Sequence, residues 1–173
     1  SIPGDTGIIF YPGAKVEAIA YLPILEKLRN EGYTCALVEM PLNMAIFDAN
    51  AADEVFEQVP NIKNWYIAGH SMGGAMSSSY ASENPDKVNG LILLGAYLYG
   101  NYPEEKTLTV YGSFNDNLEP HINYTKNIIK IEGGNHAQFG NYGKQNGDPD
   151  ATITAEEQQN ITIDAIVRFI KKE

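Results

Sequence analysis

At 173 residues, 43% of them apolar, the chain is long enough for one domain with a buried core and is neither disordered nor fibrous. Its 22 acidic residues exceed the 12 basic ones and leave a net charge of −10. Lys and Arg are scattered rather than clustered, which argues against nucleic acid and anionic membrane surfaces as partners.

Apolar runs then alternate with segments of helical spacing. The first run is Gly7–Tyr11. The pattern predicts a helix over Tyr21–Glu31, with Leu22, Leu25 and Leu28 on one face, Pro23 in its first turn and Gly32 as its stop. Tyr33–Val38 is the second run. It holds the single cysteine, Cys35, which has no internal disulfide partner and reads as a small buried hydrophobe. A helix is predicted over Asp48–Gln58, with Ala52, Val55, Phe56 and Val59 as its apolar positions. The third run, Asn64–Ala68, leads into a helix over Ser71–Glu83 that ends before Pro85. Gly90–Leu94, Leu108–Tyr111 and Asn127–Glu132 are the fourth, fifth and sixth runs. The last helix opens at Thr154, where Thr154 and Glu157 form a capping-box pattern, and it runs to the C-terminus with Ile161, Ala165 and Phe169 in line.

Continuous apolar strands alternating with helices predict a mostly parallel sheet of about six strands, covered on both faces, in a single α/β domain over residues 1–173. There is no internal repeat, linker or low-complexity tract, and no run of 18 apolar residues that would cross a membrane. Such sheets bind ligands at the carboxyl ends of their strands. The longest loop, residues 133–153, is rich in Gly, Asn and Asp and is the first place to seek function.

The third run ends in "GHSMGG", which places Ser71 between two glycines at a strand-to-helix turn. A serine held in so tight a turn projects its hydroxyl alone. Glycines on either side let strand and helix approach, and the helix start directs free N–H groups at a developing oxyanion. A serine nucleophile needs a base, and the base an orienting acid. Of three histidines, His70 adjoins Ser71 and would point away from it, and His121 reads as a surface residue. His136 follows the sixth run at the carboxyl end of the sheet. Asp116 follows the fifth run at the same end. Asp86 precedes a strand and is at the wrong end, whereas Asp148 and Asp150 come after the histidine. A purely turn-forming Asp116 is the competing reading.

With these residues in place the chain resembles the α/β-hydrolase fold family, and more narrowly the small bacterial α/β-hydrolase fold-5 group. The stretches "IIFYPGAKVE", "IAGHSMGGAMSSSYA" and "IEGGNHAQFGNYG" carry the resemblance, supported by "MPLN", "PDKVNGLILL" and "DATITAEEQQ". It implies carboxylesterase chemistry by Ser71, Asp116 and His136, in the chain order of this fold. It also implies a second oxyanion donor in the loop after the first run, where Ala14 joins Met72; Pro12 and Gly13 stand where many relatives carry His-Gly. Lys15 either attracts a negative substrate group or is a solvated lysine. Tyr97, Phe139 and Tyr142, in loops, are candidates for the wall of a shallow substrate cleft. The chain lacks the two strands that usually precede "IIFYPG" and has no room for a large cap between the fourth and fifth runs.

The expected function is therefore hydrolysis of short-chain or small soluble esters through an acyl-enzyme. Alternatives on the same site are acyl transfer, thioester or lactone cleavage, or a non-catalytic binding module. No cofactor and no metal are expected. The expected partner is a small-molecule ester, with a homodimer through an exposed sheet edge as a further expectation. Ser1 in place of Met is what a processed product would show, and an exported or membrane-anchored full-length form is the expectation drawn from the resemblance.

Overall fold

The computed structural model describes residues 3–40, 48 and 50–172. Its sheet has six strands: β1 (Thr6–Tyr11), β2 (Thr34–Leu37), β3 (Asn64–His70), β4 (Gly90–Leu94), β5 (Thr107–Gly112) and β6 (Ile128–Ile131). All pairings are parallel, in the order β2-β1-β3-β4-β5-β6. The chain leaves β1 toward one edge and resumes on its other side with β3. The switch point of the topology, where parallel sheets open a crevice at their carboxyl ends, therefore lies between β1 and β3.

Strand residues alternate between two cores. Ile8 and Phe10 of β1 join Tyr66, Ile92 and Val110 under α1 (Leu22–Asn30) and α4 (Ala155–Lys171), which contribute Leu25, Leu28, Ile166 and Phe169. Ile9 and Tyr11 join Trp65, Ile67 and Leu93 under α2 (Ala52–Gln58) and α3 (Met72–Glu83). Burial on both faces is why these strands read as continuous apolar runs.

Element ends differ from the sequence pattern where hydrogen bonding outreaches hydropathy. β3 runs on through Gly69 and His70, which pair with Leu93 and Leu94 of β4. α2 begins at Ala52, the first of its apolar positions and later than the predicted start at Asp48, and Ala49 of the predicted span lies outside the described residues. Of "MPLN", only Met40 is described. The capping box of α4 forms as its sequence dictates: the Glu157 N–H donates to Thr154 Oγ1, and the Thr154 N–H to the Glu157 carboxylate.

Cys35 sits half-buried on β2, an edge strand among the described residues, and burial pushes its thiol up to about 12, far from reactivity. No helix among the described residues is long and apolar enough to cross a membrane. The connection from β4 to β5 holds only a short 3-10 turn, Glu104–Lys106.

Candidate active site

Ser71 joins β3 to α3 with φ 56° and ψ −122°, a backbone conformation that side chains with a Cβ adopt only under strain. Its N–H donates to the Leu94 carbonyl at 3.0 Å, which ties the turn to β4. The turn tolerates only glycine on either side. A Cβ on Gly69 would collide with the Gly73 carbonyl, and one on Gly73 with the carbonyls of Tyr11 and Pro12. The start of α3 is thereby pressed against the loop after β1. The N–H groups of Met72 and Ala14 have no hydrogen-bond partner among the described residues.

His136 follows β6 and leads into a 3-10 turn, Ala137–Phe139. Its ring packs against Gly95, whose φ of 56° and missing side chain make room: a Cβ there would stand 2.8 Å from His136 Nδ1. That Nδ1 is buried without a partner among the described residues. Burial lowers the imidazole pKa below its ordinary value, and the Asp148 carboxylate works against that shift.

The backbone on both sides of His136 is gripped by side chains. Asp148 accepts from the N–H groups of His136 and Ala137, at 3.1 and 2.8 Å, one on each carboxylate oxygen. Gln158, fully buried on α4, accepts from the Asn135 N–H at 3.1 Å and donates to the Asn135 carbonyl at 2.8 Å. Gln159 donates to the Gln138 carbonyl at 3.1 Å. His70 Nε2 lies 2.8 Å from the His136 carbonyl oxygen.

A cleft of about 870 Å³ opens at the carboxyl ends of β3, β4 and β5, and Ser71, Met72, Asp116 and His136 all line it. Asp116 is exposed at the start of a 3-10 turn, Asp116–His121. Among the described residues no hydrogen bond joins His136 to Ser71 or to Asp116, so these groups share a cleft without being locked together. Tyr97 also lines it, stacked on His121 with ring centroids 4.6 Å apart.

Four sequence candidates lie elsewhere. Phe139 is fully buried in the core beneath His70, with centroids 5.6 Å apart, so it cannot touch a ligand in the cleft. Tyr142 is half-buried, packs on the same core and donates to Gln145. Lys15 is exposed, with a left-handed φ of 59°, and like Ala14 is not among the residues lining the cleft. Periodicity cannot tell a loop aromatic that folds inward from one that faces a ligand.

The sequence reading missed the parts played by His70, Asp148 and Gln158. The length of the 133–153 loop and the paired glutamines of "TAEEQQ" were the available signals. Among the described residues no three His, Cys, Asp or Glu side chains are grouped as metal ligands.

Among solved structures, the chain is similar to a metagenome-derived lipolytic enzyme, one of the pair LipS and LipT, at 13% identity and a TM-score of 0.65, over 100% of this chain and 96% of that one. It is similar to a Paleococcus ferrophilus monoacylglycerol lipase at 12% identity and a TM-score of 0.64, over 93% and 94% of the two chains. It is also similar to Est1E of Butyrivibrio proteoclasticus, solved with ferulic acid, at 15% identity and a TM-score of 0.65, over 95% and 89%. Among curated proteins none matches. The sequence model of the alpha/beta hydrolase family matches residues 7–160, and with the parallel sheet and the glycine-flanked serine turn described above, the chain belongs to that family.

Proposed function

We propose that the protein is a serine hydrolase, a carboxylesterase that cleaves short-chain or small soluble esters through an acyl-enzyme. The observation that carries this reading is the strained Ser71 at the start of α3, lining the same cleft as the half-buried imidazole of His136. In the proposed sequence Ser71 Oγ attacks the ester carbonyl carbon while His136 takes the hydroxyl proton. The oxyanion is held by the N–H of Met72, on the cleft, and in this proposal also by that of Ala14, on the loop that the start of α3 presses against. Collapse expels the alcohol, which leaves with the proton from His136. Water then gives a proton to His136 as its oxygen bonds the acyl carbon; the acyl–Oγ bond breaks, Ser71 Oγ takes the proton back from His136, and the acid leaves.

Asp116 takes the role of orienting acid in this proposal, supported by its position in the chain order and on the cleft. Its bond to the ring would form with substrate bound, since such bonds are often long in empty sites. Asp148, whose charge acts on the His136 ring, is the competing carboxylate. A fluorophosphonate probe should label the protein once, at Ser71, and Ser71→Ala should abolish labelling. A folded protein that resists a probe able to label a control esterase would exclude the serine hydrolase. Labelling without turnover of p-nitrophenyl esters would favour transfer to another acceptor. Comparing Asp116→Asn with Asp148→Asn separates the two acids: the orienting acid is the one whose loss lowers kcat by several orders of magnitude.

A further inference from the structure

The site draws on three separate stretches of chain: the loop after β1, the turn at Ser71 and the loop carrying His136. One buried line of hydrogen bonds touches all three. The Gly13 N–H donates to the Tyr21 hydroxyl oxygen at 3.0 Å, that hydroxyl lies 2.7 Å from His70 Nδ1, and His70 Nε2 lies 2.8 Å from the His136 carbonyl oxygen. Chemistry sets the direction of each bond. A carbonyl only accepts, so Nε2 carries the hydrogen of the His70 ring. Nδ1 is then the acceptor, the Tyr21 O–H donates to it, and the hydroxyl lone pair is left for Gly13.

Tyr21 and His70 are 0% and 1% exposed, packed among aromatic rings and, for His70, against the His136 ring at 4.8 Å. Phe10 packs on Tyr21 with centroids 4.8 Å apart, and Phe139 on His70 at 5.6 Å. Burial pushes the His70 pKa down to about 3, so the ring stays neutral and the bond directions hold across the ordinary pH range. Apolar side chains of similar shape would fill this space. The two polar groups present are satisfied by backbone that belongs to the site and by each other.

We propose that His70 is a positioning residue, which together with Tyr21 holds the loop bearing Ala14, the backbone of Ser71 and the backbone of His136 in one register. His70 is the chain neighbour of Ser71, so the relay reaches the nucleophile through the peptide itself. The effect on catalysis rests on the serine hydrolase reading, whereas the relay itself does not.

Tyr21→Phe keeps the ring and removes only the hydroxyl. The expected result is a folded protein whose kcat on a p-nitrophenyl ester falls about tenfold to a hundredfold, since small misplacements of reacting groups cost that much. KM should stay within about threefold, because ground-state binding is untouched. His70→Gln keeps a donor for the His136 carbonyl, whereas His70→Leu keeps none, so the glutamine variant should retain more kcat than the leucine variant. Wild-type kcat in folded Tyr21→Phe, or equal losses in both His70 variants, would overturn the positioning role. The relay is read separately in the wild type from long-range ¹H–¹⁵N spectra of the His70 ring. Nε2 should be protonated and Nδ1 bare between pH 5 and 8; an Nδ1–H tautomer, or titration in that window, would overturn the relay, and with it the proposal, whether or not any variant folds. A wild type that neither labels nor turns over ester brings down the hydrolase reading, while the spectra still decide the relay.

Discussion

Ser71 occupies backbone space that glycine enters freely and serine enters at a cost of about 1 to 3 kcal/mol. Ser71→Gly releases that strain, less roughly 0.5–1 kcal/mol for the added freedom of the unfolded chain. The expected net gain is about 1 kcal/mol, or a Tm higher by about 3 °C for a chain of this size. Ser71→Ala keeps the Cβ and should gain nothing. Thermal melts of the two variants decide the matter: a glycine variant that melts no higher than the alanine variant means that the turn stores no strain. His136 yields a second expectation. Burial holds its pKa below 6.5, so the acid limb of kcat/KM should have its midpoint below that value. The negative charge of Asp148 opposes the shift by favouring the protonated ring. Removing it in Asp148→Asn lets burial act alone, and the midpoint should move to lower pH. A midpoint that rises in the variant contradicts the assigned cause.

At the scale of elements, α4 acts as a support for the loop of His136. Gln158 pairs with both backbone polar groups of Asn135, and Thr162 Oγ1 bonds the Gln158 carbonyl one turn on. Gln158→Ala strands two buried backbone groups, at about 1–3 kcal/mol each, so a loss of about 2–6 kcal/mol in urea unfolding is expected. Gln158→Glu keeps an acceptor for the Asn135 N–H but no donor for its carbonyl, and should fall between. Hydrogen exchange at residues 134–138 should accelerate in the same order, and an alanine variant with unchanged stability and exchange would show that the clamp holds nothing. This clamp also marks the limit of what could be read beforehand. The strands, the capping box at Thr154 and the glycine-flanked Ser71 were legible because each is written in local spacing. The inward turn of Phe139, the burial of His70 and the grip of Asp148 on His136 were not. They depend on side chain-to-backbone contacts between segments that only the finished fold brings together, and no local period encodes them.

For the whole molecule, the short β4–β5 connection decides how the cleft meets solvent. A single 3-10 turn is too little chain for a helical cap, and among the described residues no helix between β4 and β5 covers the cleft that Ser71 lines. With no helical cap from that connection, a long acyl chain in the open cleft keeps one side in water, and each CH₂ left there forgoes about 0.8 kcal/mol. Under the proposed function, kcat/KM should peak at short acyl chains and show no jump as substrate passes its solubility limit. A maximum at palmitate, or a sharp rise when droplets form, would refute this. The clamp from α4 has one more consequence, in the order of synthesis. Chains fold from the N-terminus as they emerge, at about 5–20 residues per second. Ser71 and its turn can form while the segment that becomes α4 is still being made, but the grip on the loop of His136 waits for Gln158 and Gln159. Under the proposed function, a nascent chain presents Ser71 before the loop of His136 is held, and turnover waits until α4 has formed.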